Sequence, residues 1–575
     1  MLVSAALLCL GSTVSAADAP VAAWCNLFDG KTSAGDQNTA IAIGSDNSVY
    51  WLNTLGSTEA APDVFYNGEK IFTGSLYNAG SSYANNFALT KTNTDGAAVW
   101  TIYSNSGDYA SENGGVAVGE DGSVYFAAKV RHTDGKTDTD LTLVDAEGTA
   151  FNFFESVEKR YYIMVIGKAD ANGKIEWIRT TDVAHGACPS GAKDFIAEGF
   201  AVKDIALDAE GNIFVCGSAY MDLSFEKADG SRVTLTPRNT ADWSGDAQKA
   251  CGDLFIAKLD KQGYYLDCLQ ASGAEAGFET VLSLEPAHGK IYFQGYASAP
   301  AAVEPALGGK TLKVGVTTSP FVGCLNPETL SVEWLSCMTS EKIGAQLGYQ
   351  NSNITAIDGT VWLAAQFNGK FSSSADPTKS VTSKQHAQRE GMLVKFSAAD
   401  GEWLAAADSR DGFADSGIGA YMKAIQNPQD ANKVYVYGYV WGTGAGVFLR
   451  AYDARTLEAD PDNSWTLITS TGMVTAREIA YSPAAGTAYV TARTNKAYTC
   501  LGGITTPDPN AWSICAARFN LPESLTSGVE NVSLTQVPGE TDNTVYDITG
   551  RPVGNDLSGL PAGLYITRGK KVLVK

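Results

Sequence analysis

Four histidines are spread through 575 residues. His132, His185, His288 and His386 each stand alone, without the HExxH or paired spacing that gathers imidazoles around zinc. The chain has no G-x-S-x-G elbow to raise a nucleophilic serine and no phosphate-cradling P-loop. Asp134, Asp138 and Asp140 stand close together, and a hard cation such as calcium wants several carboxylates; their spacing is not that of an EF-hand, and a solvated acidic loop is the simpler account. The expectation is no cofactor, with calcium at that loop the one site to test. Aromatic residues offer a different chemistry. Tyr66, Tyr77, Tyr83, Phe153, Phe154 and Trp243 fall in long connections rather than in strand patterns, where flat rings would suit a sugar or a peptide; the plainer role is to pin their own loops.

Ten cysteines are present, nine of them beyond residue 17. In an oxidising compartment they would pair, with one left over. Cys188 and Cys251 fall on the connections of one repeat and are expected to bond, whereas Cys216, Cys268, Cys324 and Cys337 lie inside strand patterns as small buried side chains.

The elements that position these residues follow from composition and repeats. Hydrophobic residues make up 44%, charged residues 18%, and there are 59 glycines, the usage of many short strands joined by tight turns. The net charge of −21 argues against a nucleic-acid partner, which a basic face would mark. Residues 1–17 (MLVSAALLCLGSTVSAA) read as a signal peptide, with a short apolar run and small residues before the cleavage point, though no Lys or Arg precedes the run. No later stretch holds 18 uninterrupted apolar residues, so no transmembrane segment is expected.

Residues 204–218 read DIALDAEGNIFVCGS: alternation, a turn, then alternation again, the pattern of a β-hairpin. Related hairpins start at Ile41, Val116, Val281, Ile354, Ala424 and Ile479. A second hairpin follows each, as at residues 253–273, and its last strand usually carries a tryptophan: Trp100, Trp177, Trp334, Trp403 or Trp465. Four antiparallel strands per unit make a propeller blade. The seventh unit ends at residues 513–520 (SICAARFN) without a fourth strand, while residues 22–33 (AAWCNLFDGKTS) place Trp24 where the other fourth strands have theirs. The fold expected is all-β: a seven-bladed propeller over 18–522, closed by an N-terminal strand that leaves no open edge.

Closure puts two more cysteines together. In the second unit the turn 170–173 sets Ala169 opposite Lys174 and Val165 opposite Ile178. Transferred to the seventh unit, that register sets Cys25 opposite Cys515 as a disulfide, with Cys500 the rival partner.

The repeat resembles the bacterial SBBP-type propeller repeat, through Asp208, Gly211, Asn212, Phe214 and Gly217. The resemblance implies an extracytoplasmic propeller and no common activity. Residues 397–403 bear a slight likeness to the Asp-box of sialidases, with a different spacing and in an ordinary hairpin turn, and are not taken as catalytic.

The tight turns are short, whereas six connections between second and third strands are long: 53–86, 131–160, 222–252, 297–320, 368–391 and 495–512. Only the sixth, near residues 441–444, is short. All elaboration thus falls on one face, where a ligand, glycan or protein, is expected. An enzyme such as a polysaccharide lyase or glycosidase would need paired carboxylates or an Arg cluster converging in the channel, and no loop holds them together. A binding module is therefore the reading, with the enzyme as alternative.

After a linker over 523–530 the pattern changes. Residues 543–553 read NTVYDITGRPV, 560–566 LPAGLYI, and 569–575 GKKVLVK. The tail is similar to the type A C-terminal sorting domain of the type IX (Por) secretion system, through Tyr546, Asp547, Gly550, Arg551, Gly563, Tyr565, Lys571 and Lys575. The resemblance implies a small β-sandwich over 531–575, the outer-membrane secretion machinery as partner, and a protein secreted from or displayed on a Gram-negative bacterium.

Overall fold

The computed structural model describes residues 19–521 apart from 31–35, 58–62, 75–83, 132–140, 155–161, 184–199, 221, 238–251, 273–277, 299–304, 316–317, 341–345, 348–352, 385–388, 414–417, 427–429, 442–445 and 507–511, and in the tail 545–547, 552–554, 560, 563–567 and 570–574. The chain forms two compact units, 1–524 and 525–575. Among the described residues every regular element is a strand, and no helix is long and apolar enough to cross a membrane.

The first unit is a seven-bladed β-propeller. Its third blade shows the plan: Phe200–Leu207, Ile213–Ala219, Asp253–Leu259 and Tyr265–Ser272 run antiparallel from the channel outward. Asp208 sets the first turn by accepting the Asn212 N–H at 2.7 Å, and Gly211 takes φ +77°, which a side chain would resist.

The ring closes as its sequence implies. Val21–Asp29 pairs antiparallel with Ser513–Asn520, and Trp24 faces Arg518. The blade tryptophans then explain a glycine pattern. Three of them donate to the outer turn of the following blade: the Trp24 indole N–H to Thr94 O at 2.9 Å, that of Trp100 to Ala171 O at 3.1 Å, and that of Trp334 to Ala398 O at 3.0 Å. A Cβ on Gly96, Gly173 or Gly263 would sit 2.6 Å from the preceding blade's indole. The third blade's outer strand has no tryptophan, and the turn above it, Asn326 to Ser331, has no glycine.

Among the described residues, most of the long connections contain a hairpin that extends the preceding blade. Asp63–Tyr66 and Glu69–Thr73 flank the closure strand, and Leu141–Val144 with Ala150–Phe154 flank the first blade. Leu223–Glu226 with Arg232–Leu235, Ala306–Leu307 with Lys310–Thr311, and Lys370–Ser373 with Ser380–Thr382 do the same for the second, third and fourth. Tyr498–Cys500 flanks the sixth as a single strand. The sixth blade's short connection sends back nothing, so the fifth blade's outer strand, Trp403–Asp408, has no clamp among the described residues.

The disulfide joins Cys25 to Cys500 across 6.8 Å between Cα atoms, not to Cys515. The cause is two slips of one residue each. The second blade's outer turn sets Ala169 opposite Ile175 rather than Lys174, and a bulge between Lys168 and Ala169 adds one more, so that Ile178 faces Gly167 rather than Val165. The seventh blade copies the true register: Cys25 faces Ala517, and Cys515 faces Leu27, two positions away on the same side of the sheet. Cys216, Cys324 and Cys337 are buried thiols and Cys268 is half-buried; Cys188 and Cys251 lie outside the described residues.

The tail's described strands, Val545–Asp547, Pro552–Gly554, Gly563–Thr567 and Lys570–Val574, form one four-stranded antiparallel sheet. The second layer of the expected sandwich is not present among the described residues. Tyr546, Asp547, Gly563, Tyr565 and Lys571 lie on these strands, while Gly550, Arg551 and Lys575 lie outside the described residues.

Candidate functional site: the central channel

Seven inner strands wall the channel: Gln37–Ile43, Asp108–Val118, Phe200–Leu207, Phe278–Ala287, Asn353–Ile357, Ile418–Gln426 and Val474–Ser482. All but the fifth carry a register shift at a similar height, at Asn38/Ala40, Tyr109/Gly114, Val202/Asp204, Val281/Ser283, Tyr421/Lys423 and Ala476/Ile479. A bulge turns an extra residue out of the ladder and re-aims it. Here the extra residues include Thr39, Lys203, Leu282, Met422, Arg477 and Glu478, and all six line one cavity of about 340 Å³. The cavity runs from this belt toward the tight-turn ends of the strands, reaching Val118, Leu207 and Pro286. A neighbouring cavity of about 250 Å³, lined by Glu285, Thr355 and Gln426, shares Lys423 with it.

The belt holds three carboxyls (Asp204, Glu285, Glu478) and three cations (Lys203, Lys423, Arg477). The carboxyls are fixed acceptors. Asp204 takes the Ile205 N–H on one oxygen and the Leu284 N–H on the other, both at 2.8 Å, and so ties the third blade to the fourth. Burial pushes its carboxyl up to about 6, against those two donors and the Lys423 charge. Burial also raises Glu285, opposed by Lys423 and by the Ala356 N–H, which ties the fourth blade to the fifth. Glu478 is pushed up to about 7, by burial first and by the Asp204 charge, against Lys423, Asn353 and Arg477. Lys423 thus acts on all three carboxyls and makes no direct ion pair among the described residues.

This belt was not read from the sequence. The hairpin repeats start at Asp204, Ala424 and Ile479, and all the charged belt residues but Glu285 stand at or just before those starts. The signal is a polar doublet that breaks the alternation, as in Lys203-Asp204 and Arg477-Glu478.

The aromatic residues expected to hold ligand divide differently. Tyr66 is 3% exposed, and its hydroxyl donates to Gly96 O at 2.8 Å and accepts from the Asn26 amide at 2.7 Å, so it offers no face to a ligand. It pins a clamp, as do Phe72, stacked 4.7 Å from Tyr103, and the buried Phe371 and Tyr498. Phe153 is half-buried against the core shared by the first two blades, and Phe154 ends the same clamp strand. Tyr77, Tyr83 and Trp243, and the acidic loop of Asp134, Asp138 and Asp140, lie outside the described residues.

No family model and no curated protein matches this chain. Among solved structures, the polysaccharide lyase Uly1 aligns with 88% of this chain and 98% of its own at 11% identity and a TM-score of 0.40. The rhamnogalacturonan lyase YesW aligns over 83% and 76% at 12% identity and a TM-score of 0.31. A europium-containing methanol dehydrogenase aligns over 76% and 88% at 10% identity and a TM-score of 0.33. Likenesses of this degree say nothing about activity.

Proposed function

We propose that this chain is an exported β-propeller that binds the end of a glycan in its channel, and that its C-terminal unit is the address for delivery to the surface of a Gram-negative cell. The observation that carries the binding reading is the balanced belt. A strongly anionic ligand would meet three carboxyls, and a strongly cationic one two lysines and an arginine. A neutral polyhydroxyl group suits both, because each hydroxyl donates and accepts and can bridge a carboxylate to an ammonium. The cavity volume is at the small end of ligand sites, room for one or two sugar rings. Aromatic platforms on the long-loop face, the place first expected, lose support because Tyr66 and Phe72 are spent on clamps.

Both Asp204 oxygens are occupied by main-chain donors, which favours holding a ligand over shuttling a proton. Glu478 is less constrained and titrates near neutrality, which keeps the glycosidase or lyase reading as the second. The test is an array of neutral and acidic glycans probed with residues 18–524. Binding to neutral chain ends, weakened at least tenfold in Lys423→Met and Glu478→Gln, is expected. A silent array would sink the binding reading, and sugar release lost in Glu478→Gln would replace it with the enzyme. Deleting 527–575 is expected to leave a folded propeller inside the outer membrane; surface delivery without the tail would reject the address.

A further inference from the structure

Three sulfurs meet at the closure. Cys25 on the closure strand, Cys500 on the clamp strand and Cys515 on the neighbouring blade strand are all buried, with sulfur atoms within 4.8 Å of one another. Two form the disulfide and the third is a thiol. Cys25 and Cys515 are diagonal neighbours on one side of the sheet, two register positions apart. Diagonal neighbours start farther apart than a disulfide spans, so the new bond asks the closure strand to shift, but the sulfurs already lie within 4.8 Å of one another.

We infer that Cys515 is a built-in second partner for Cys25, so that the covalent lock on the closure strand can pass from the clamp to the seventh blade's own sheet. The Cys515 thiol gives up its proton and its sulfur attacks Cys25. The Cys25–Cys500 bond breaks as the Cys25–Cys515 bond forms, and Cys500 leaves as a thiolate and takes up a proton. One disulfide and one thiol exist before and after, so no oxidant or reductant is consumed. The two pairings differ in what they hold. The first ties the closure strand to the clamp on the sixth blade. The second ties neighbours within one sheet and leaves the clamp held by its three paired positions, Ile468/Cys500, Thr469/Thr499 and Ser470/Tyr498, and by hydrogen bonds to the closure strand at Asn26 O and the Ala22 N–H.

The surroundings keep the exchange slow and internal. Tyr66, Tyr437 and Tyr498 surround Cys515, and their hydroxyls donate to Gly96 O at 2.8 Å, Thr491 O at 2.7 Å and Asn26 O at 2.7 Å. Burial pushes the Cys515 thiol up to about 12, so little thiolate exists at neutral pH and outside oxidants find no route to it. The neighbouring disulfide sulfurs need no route.

Two measurements on the full chain decide the matter. In Cys500→Ser, non-reducing peptide mapping after acid quenching is expected to show Cys25 linked to Cys515 in most molecules. A folded Cys500→Ser protein with both thiols free to alkylation overturns the inference. The second keeps the test open should that variant not fold: wild type held at mildly alkaline pH with a trace of reduced glutathione is expected to yield both Cys25–Cys500 and Cys25–Cys515 peptides. Recovery of the Cys25–Cys500 peptide alone overturns it equally.

Discussion

The seam where the chain closes and the seam between the fifth and sixth blades meet the same demand with different chemistry. At the closure the outer strand is covered by a hairpin, an indole is plugged under the next turn, and a disulfide crosses to the neighbouring clamp. At the other seam the connection that would have supplied a hairpin is too short, and buried charge takes its place. Arg410 pairs with Glu390 at 2.6 Å, with Glu390 only 1% exposed. Arg450, from the sixth blade, donates to Ser409 O at 2.7 Å and lies over Phe448 at 4.1 Å and Phe413 at 4.3 Å. The Tyr421 and Tyr452 hydroxyls are hydrogen-bonded beside it. The comparison teaches that strand pairing and buried ion pairs can substitute for one another around a ring, but they fail differently: a ladder loses its bonds singly, and a buried pair fails at once when one partner goes.

The sharpest way to break the comparison is at the uncovered seam. Arg410→Met removes the cation facing the buried Glu390, which keeps the Lys384 N–H at 2.8 Å, and is expected to cost about 3 kcal/mol, read as a drop in the urea midpoint. A loss below about 1 kcal/mol would show that the apolar contacts of the seam suffice.

The second test uses pH. Burial, and then Glu390 beside it, raise the Asp408 carboxyl from its ordinary 3.8 to about 8. A folded-state value above the unfolded one means that its contribution is complete below 3.8 and is lost as pH rises toward 8. Wild type is therefore expected to lose stability steadily over that window, while Asp408→Asn loses less. Parallel curves for the two proteins would remove Asp408 from the account.

The smallest effect belongs to the closure clamp. Tyr66→Phe deletes one hydroxyl that serves Asn26 and Gly96, and is expected to cost about 1 kcal/mol in thermal unfolding because the paired backbone remains. A loss matching that of Arg410→Met would mean that the clamps, too, fail all at once.

Much of this ring was legible from short-range chemistry. Alternation and Asp-x-x-Gly turns marked the blades, and an orphan strand at each end of the propeller marked the closure. The clamps left a weaker trace that passed unread: Asn67-Gly68 between two apolar segments, with both residues at positive φ, is the signal of a two-residue hairpin. It was hidden inside a connection taken for a binding loop. The disulfide partner was missed because the turn and the bulge beside Lys168 each add one residue, and together they displace every position read across them by two. The channel belt was missed for a related reason. Bulges interrupt the period that identifies a strand, so the residues they aim inward fell outside the repeats. What sequence periodicity conceals here is where the period was broken on purpose.

The closure strand pairs residues near 21–28 with residues near 514–520, while every other blade is built from strands close in the chain. Local hairpins form fast, and a contact between such distant segments waits for the whole intervening chain. Six blades can thus exist as an unclosed arc, flexible along its length and narrow in section, until the last strand emerges. The fold's final rigidity therefore depends on the meeting of the propeller's two ends.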